Sequence, residues 1–527
     1  METLYQSLLK YNNSDVTALY YENKKYSFST FLSNVRKMVT YLKYQGIKEN
    51  DVITIVLPNL PITIYAIYAI NAIGAISNII HPLTPLSKII ESMEETNSNN
   101  AIILETLYQE NEKAFNNSKH KFFFVNPMFD KSIIYKNIFY LKYKKVKESI
   151  NLKSLDKFRK CNETIITTFK DPLKDCIYLH SGGTTGTSKI VTLSDASINN
   201  LASKFNDLFP FDIKGKSMLA VLPTFHGFGL AIGIHAPLFN QASSALMMKF
   251  NKKQIIKWIN QNKINSIIGI PLLYQKLIED DMFKKAKLSN LTHCFVGGDN
   301  VSISLLDSFN NLMKSVSVDS LLLEGYGLTE TVTVCNVNTY KENKIGSVGK
   351  PLVGISNKIF DDNLNELKPY EIGEVYVSSD TLMNKYLNDK KQTADTLVNI
   401  SGITYVKTGD LGYLDEDGFL FLKGRKKRMY KIAGINIYPS EVEKIVTNLD
   451  DVYDASLQLF EKEKPYLVLY VIKHKKSIKS NEEINDLIMK SLKDKVLKYA
   501  LPCKIIFMEK FKKTALGKID HNGFKDK

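Results

Sequence analysis

The chain has 527 residues, enough for about three or four units of ordinary domain size, and its 44% hydrophobic, 24% charged make-up is that of a folded globular protein. A net charge of +15 raises the question of nucleic acid, but the surplus is lysine spread along the chain; arginine, the usual partner of phosphates and bases, stands only at 36, 159, 425 and 428. Cysteines at 161, 176, 294, 335 and 503 form no Cys-x-x-Cys pair, no basic stretch followed by an apolar run opens the chain, and Pro58, Asn59, Pro61, Asn71 and Gly74 interrupt its most apolar region, which argues against a zinc site, a disulfide framework, a signal peptide and a membrane span and for a reducing cytoplasm.

In chain order, residues 26–45 have helical periodicity behind a Ser-Phe-Ser-Thr start that supplies a cap, and Gly46 ends the run. Residues 52–57 and 75–80 read as buried strands around a helix at 62–73, an alternation that predicts a parallel, helix-covered sheet. A helix at 88–96 and a strand at 101–104 follow, and the Lys- and Asn-rich part from 111 to 168 gives weak signals. Then comes Ser181-Gly182-Gly183-Thr184-Thr185-Gly186-Thr187-Ser188-Lys189 behind the apolar run 176–179. Its glycines let successive N–H groups converge, four hydroxyls add donors and Lys189 adds a cation, which suits a phosphate, although a polar surface turn has the same composition. It is not a Walker A loop, because Thr187 and Ser188 separate Gly186 from Lys189.

Beyond it, residues 194–208 look helical, and strands at 218–222, 265–270, 293–296 and from 321 end in polar, glycine-bearing turns. Ligands of α/β sheets sit beyond such carboxyl ends, so these turns point to one shared crevice. From 373 the chain turns to short β runs at 374–378, 404–407, 411–414 and 419–423, the pattern of a small β-barrel or sheet. The basic stretch 424–432 reads as a linker, and helices at 439–448 and 481–496 with strands at 452–460, 466–472 and 504–507 make a separate α+β unit. The division expected is 1–426 and 427–527.

The ordered set of the 181–189 loop, Glu324-Gly-Tyr-Gly-Leu-Thr-Glu330, Thr408-Gly-Asp410, Gly424-Arg425, Gly434-Ile-Asn-Ile-Tyr-Pro-Ser-Glu441 and Lys513-Thr-Ala-Leu-Gly-Lys518 resembles the adenylate-forming superfamily of acyl-CoA synthetases, peptide-synthetase adenylation domains and luciferases. The resemblance covers essentially the whole chain. It implies that a carboxylate attacks the α-phosphate of ATP to give acyl-AMP and pyrophosphate, and that a thiol then displaces AMP. By the same resemblance Ser181 to Lys189 hold the β- and γ-phosphates, Glu330 ligates Mg²⁺, Thr329 lies beside the α-phosphate, and Gly325 and Tyr326 flank the adenine and acyl sites. Asp410 accepts from the ribose hydroxyls, Arg425 reaches the ribose or phosphate, and Lys518 enters between the acyl carboxylate and the α-phosphate. Lys427 occupies the hinge position, whose rotation withdraws Lys518 and brings up the Gly434 segment for the thiol step. Ser188, Ile190 and Arg428 depart from the usual Pro, Gly and acidic or small residues without removing a charge that the chemistry needs.

For the acid, amino-acid-activating relatives place an aspartate about where Gly227 falls in Pro223-Thr-Phe-His-Gly-Phe-Gly229; a buried ammonium without a counter-charge is costly, so an amino acid is disfavoured. Small residues at Gly227, Gly229, Gly297, Gly298 and Gly325 leave space for a chain or ring, with His226 either gating the channel or sitting in the core. The expectation is a CoA ligase using ATP, Mg²⁺ and CoA on a fatty acid. An aryl acid, a separate carrier protein as acceptor, since only nine residues follow Lys518, and a nucleotide-binding relative without turnover are the alternatives. No nucleic-acid partner is expected, and nothing fixes the oligomeric state.

Overall fold

The computed structural model describes residues 1–131, 133–181, 189–432, 435–460, 465–493, 495–513 and 519–524. The alternation that begins at residue 52 resolves into two large sheets. The first has eight strands in the order Lys385–Tyr386, Lys189–Ser194, Asp175–Ser181, Ile76–Ile79, Val52–Val56, Asn100–Leu104, Lys121–Val125 and Leu152–Ser154. Its members are parallel except at the end where Lys189–Ser194 returns antiparallel against both of its neighbours. The second has nine strands in the order Lys350–Pro351, Val334–Val337, Leu322–Gly327, His293–Val296, Ser266–Gly269, Ser217–Ala220, Ser243–Leu246, Thr17–Tyr21 and Lys24–Ser27.

Helices fill the space between and around the sheets. All thirteen residues of Pro61–Ile73 are buried, as expected of a helix that is apolar on every side, and Gly74 at φ 83° turns the chain out of it. The helix Phe28–Tyr44 starts where the Ser-Phe-Ser-Thr signal places it, with the Ser27 side chain accepting from the Thr30 amide.

The β-rich part is an antiparallel sheet of Ser356–Phe360, Gly373–Ser378, Ile403–Leu414 and Leu397–Ile400, with Leu420–Arg425 also pairing with Ile403–Leu414. The two strands expected at 404–407 and 411–414 are therefore one, and Gly409 at φ 71° absorbs the irregularity between them. After it come the hairpin Tyr430–Ile432 with Ile435–Ile437, the helices Pro439–Thr447 and Asn481–Lys493, and a sheet of Val452–Phe460, Tyr466–Lys473 and Lys504–Phe507. Val442, Val446, Leu457, Leu469, Ile484 and Ile488 form a hydrophobic cluster of this region's own.

Three readings differ from the structure. The stretch 424–432 is the end of one strand, the turn Lys426–Arg428 and the whole of the short strand Tyr430–Ile432, held by ion pairs that a pattern of apolar residues does not register. The weak region 111–168 contains the strand Lys121–Val125, a short run with Phe122, Phe123 and Phe124 buried, and the helix Ile133–Lys142. The strands Thr17–Tyr21 and Lys24–Ser27 are additional: the first takes its place by pairing with Ser243–Leu246, distant in sequence, and the second pairs antiparallel with the first at the sheet edge.

Candidate active site

Ser181 and Lys189 are cross-strand partners, so the glycine-rich loop closes a β-hairpin at the end of the eight-stranded sheet; residues 182–188, which carry Gly182, Gly183, Thr184, Thr185, Gly186, Thr187 and Ser188, lie outside the described residues. The Ser181 hydroxyl donates to the Lys189 carbonyl at 3.3 Å. Lys189 Nζ lies over the Tyr386 ring, 4.7 Å from its centroid. Burial lowers the Lys189 pKa, Glu330 opposes that shift and the Lys427 charge adds to it, so these three side chains share one electrostatic environment.

Glu330 sits in the turn Thr329–Thr331, which follows the strand Leu322–Gly327. The Tyr386 hydroxyl donates to Glu330 Oε1 at 2.5 Å, and burial with the adjacent Glu330 charge raises the Tyr386 pKa. Val332, two residues on, has φ 65°, which is uncommon for a β-branched residue and marks a backbone held by its surroundings. Tyr386 was not among the expected site residues. Its signal is its position, in a two-residue strand paired with Lys189–Ser194, which appears only once the sheet is built.

The strand Leu322–Gly327 carries Tyr326, whose hydroxyl donates to Asp410 Oδ2 at 2.5 Å. Arg425 Nε meets Asp410 Oδ1 at 2.9 Å, and Arg425 Nη1 donates to the Thr408 carbonyl at 3.1 Å. Asp410 and Arg425 are cross-strand partners, so two β-strands hold the pair in place. Burial opposes the charge on Arg425 and Asp410 favours it, and the net effect raises its pKa. Beside them, burial pushes Glu324 up to about 7, with Lys444 from the helix Pro439–Thr447 pulling the other way.

Residues expected at the acid lie near Leu322–Gly327 and the turn that follows it. His226 Nδ1 accepts from the Phe228 amide at 3.1 Å, and the preceding Phe225 packs on His81 with centroids 4.7 Å apart. A Cβ at Gly227 would fall 2.0 Å from the Val332 carbonyl oxygen, and one at Gly297 would fall 2.7 Å from that of Gly325, so both glycines let two backbones meet. Gly298 adopts φ 81°, and Gly325 lies against the Asn336 carbonyl. The segment from Gly227 thus touches the segment that carries Glu330.

Lys427 lies in the turn Lys426–Arg428 between two anchored neighbours. Lys426 Nζ pairs with Asp362 at 2.7 Å and Glu374 at 2.8 Å, whereas Arg428 Nη2 pairs with Glu443 at 2.7 Å. Gly434 and Lys518 lie outside the described residues. Lys513 and Ile519 form an isolated antiparallel bridge, and Ile519 packs against the cluster of Val468, Tyr470 and Phe511. Burial pushes Asp454 up to about 6, with Lys513 opposing and Asp299 reinforcing the shift. Among the described residues no cluster of three or more His, Cys, Asp or Glu could cage a metal. A lone Glu330 fits Mg²⁺, which is held through one or two carboxylates together with substrate phosphates and water.

Set beside known proteins, residues 10–387 match the model of a family described as AMP-binding enzyme. The chain is 28% identical to a long-chain-fatty-acid–CoA ligase of Bacillus subtilis over 530 residues, covering 96% of this chain and 90% of the relative. It is 30% identical to a 2-succinylbenzoate–CoA ligase of Lactococcus lactis over 382 residues, 71% of this chain and 76% of the relative. The fold superposes on an anthranilate CoA ligase bound to anthranoyl-AMP with a TM-score of 0.85 at 19% identity, covering 98% and 96% of the two chains. It also superposes on the O-succinylbenzoate CoA synthetase of Bacillus subtilis with ATP and magnesium at 0.80 and 21%, covering 99% of both. A family model spanning most of the chain, matched to a doubly sheeted body whose polar turns meet beyond the strand ends, places this protein in the AMP-binding enzyme family.

Proposed function

We propose that this AMP-forming acid–CoA ligase acts on a fatty acid. A carboxylate oxygen bonds to the α-phosphorus of ATP as the α–β bridge breaks and pyrophosphate leaves; the sulfur of CoA then bonds to the acyl carbon, AMP departs, and the thiol proton is released. The observation that carries the reading is the convergence of Lys189, Glu330, Tyr326, Asp410 and Arg425 around Leu322–Gly327. In it, residues 181–189 hold the β- and γ-phosphates, Thr329 and Lys518 act at the α-phosphate, Gly325 and Tyr326 flank the adenine and Asp410 and Arg425 serve the ribose side. Glu330 would hold Mg²⁺, which would supply neutralisation of phosphate charge. Catalysis is then mostly positioning and electrostatics.

The fatty acid is supported by Gly227, which offers no carboxylate to an ammonium, and by similarity along 96% of the chain to a long-chain-fatty-acid–CoA ligase. His226, Gly227, Gly297 and Gly298 border the acid in this reading. An aryl acid is the second reading, favoured by the 30% identity to a 2-succinylbenzoate–CoA ligase. Residues 1–426 form the body and 427–527 the moving unit, with Lys427 as pivot, a division supported by the anchors on either side of it and by the separate C-terminal cluster. The five cysteines are unpaired, which fits the cytoplasm. Mass detection of products with ATP, Mg²⁺, CoA and a panel of fatty, aryl and amino acids tests the assignment. Fatty acyl-CoA is expected. Aryl-CoA alone overturns the substrate, and acyl-AMP that accumulates without thioester directs the second step to a carrier protein.

Tyr386 is the residue this reading adds. Tyr386→Phe keeps the ring beneath Lys189 and removes the hydrogen bond that orients Glu330, an interaction with a charged group whose loss costs about tenfold or more. The expected result is that fall in kcat for acid-dependent ATP–pyrophosphate exchange, a higher half-saturating Mg²⁺ concentration, and no change in KM for the acid. Weaker binding of Mn²⁺ in the presence of a non-reactive ATP analogue, followed by electron paramagnetic resonance, reads the same site without turnover. Wild-type Mg²⁺ dependence in the Phe variant would exclude the role.

A further inference from the structure

The helix Ile133–Lys142 follows Lys121–Val125, the strand next to the edge of the eight-stranded sheet farthest from the 181–189 hairpin. Its inner face is fixed. Phe139 is buried and stacks on Tyr143 with centroids 4.7 Å apart, and the Tyr140 hydroxyl donates to Glu105 Oε2 at 2.9 Å. Buried Glu105 also accepts from the Val146 amide at 3.0 Å, and Lys136 faces Asp156 at 3.7 Å.

The outer face is aliphatic and open. Ile134, Ile138 and Leu141 are 65%, 55% and 87% exposed. At the spacing i, i+4, i+7 they share one stripe about 60° wide, flanked by exposed Tyr135. An aligned run of large apolar side chains on a water-facing helix marks an interaction surface, unlike single exposed hydrophobics. Residues 131–147 contain six lysines and no aspartate or glutamate; Lys131, Lys136 and Lys144 pair with Glu22, Asp156 and Glu112, whereas Lys142, Lys145 and Lys147 have no ion pair among the described residues. Lys142 and Lys145 lie along the Tyr143 and Tyr140 rings at 5.5 and 5.8 Å, and Lys145 and exposed Lys147 belong to the irregular stretch that follows the helix.

We infer that this helix docks the enzyme on an anionic lipid bilayer, with Ile134, Ile138 and Leu141 entering the acyl region and Lys142, Lys145 and Lys147 lying among the headgroups. An aliphatic stripe rimmed by lysines matches a surface that is negative on top and apolar just beneath. Nucleic acid satisfies the lysines and leaves the stripe wet. A bilayer satisfies both. The helix lies in the plane of the interface and crosses nothing, consistent with the absence, among the described residues, of any helix long and apolar enough to span a membrane. For a ligase of fatty acids the bilayer is also where the substrate dissolves, so docking concentrates enzyme and acid on one surface, although the surface chemistry is the same whichever acid is activated.

Co-sedimentation of the full chain with vesicles of phosphatidylcholine, alone or mixed with phosphatidylglycerol, tests the inference. The wild type is expected to bind the mixed vesicles, to prefer them over phosphatidylcholine alone, and to be released in part by salt. Ile138→Ser combined with Leu141→Ser is expected to lower the partition coefficient about a hundredfold. Lys142→Glu, Lys145→Glu and Lys147→Glu together are expected to remove the preference for anionic lipid. Because these side chains face water, both variants should keep the wild-type melting temperature and wild-type AMP formation with a short, water-soluble acid. Wild-type protein that stays in the supernatant with both vesicle types overturns the inference, as does unchanged binding by both variants. A dimer in sedimentation velocity that the serine variant splits, without any vesicle binding, would assign the stripe to a second copy of the chain instead.

Discussion

Replacing Lys518 by alanine is expected to slow acyl-adenylate formation by about 10²- to 10³-fold while leaving thioester formation from preformed acyl-AMP and CoA near the wild-type rate. A fixed cation between the attacking carboxylate and the α-phosphate lowers the repulsion between two anions and stabilises the charge that builds on the phosphorane oxygens, and loss of one such group costs a few kcal/mol. Lys518 itself lies outside the described residues, and the test therefore rests on the residues around it. Its neighbour Ile519 bridges to Lys513 and packs against the cluster of Val468, Tyr470 and Phe511. Acid-dependent pyrophosphate exchange reads the first step, and stopped-flow release of AMP from synthetic acyl-AMP reads the second. A loss confined to the first assigns Lys518 to adenylation. Equal losses in both would make it a structural residue, and no loss in either would leave a nucleotide-binding protein that does not need it.

Most of the architecture was legible because it follows from the period and length of apolar runs. The strand Val52–Val56, the helix Pro61–Ile73 and the strand Ile76–Ile79 fall within a residue of where alternation and the Pro and Gly punctuation place them. His293–Val296 coincides with its expected bounds. What stayed hidden depends on partners far along the chain. Lys385–Tyr386 is too short to carry a period, yet it completes the sheet beside Lys189–Ser194 and delivers Tyr386 to both Lys189 and Glu330. The turn Lys426–Arg428 reads as a featureless basic linker until its cations are matched with Asp362, Glu374 and Glu443. The glycines at 227 and 297 were read as room for the acid; the structure adds a second requirement, since a Cβ at either would strike the carbonyl of Val332 or Gly325. Local sequence carries propensity, whereas these contacts exist only after the sheets have closed.

Asp410 is where fold and chemistry are most tightly joined, and Asp410→Ala is expected to damage both. The carboxylate is buried, accepts from Tyr326 and pairs with Arg425 across the strands. Truncation leaves the half-buried Tyr326 hydroxyl without this acceptor, a cost of about 1 kcal/mol in stability. Arg425 recovers hydration more easily, because 46% of its side chain is exposed, so loss of the ion pair adds less than it would for two buried charges. ATP binding loses in addition the acceptor for two ribose hydroxyls, and bonds to a charged group make a rise of about a hundredfold in the KM for ATP the expected result. Asp410→Asn separates the two effects, since its amide oxygen still accepts from Tyr326 while the charge is gone. The melting temperature of this variant should lie well above that of the alanine variant, with KM for ATP still raised and KM for the acid unchanged. If asparagine restores ATP affinity as fully as it restores the fold, the carboxylate serves the strand pairing and the ribose is held elsewhere; if it restores the fold alone, the charge that fixes Arg425 is the charge that the nucleotide uses.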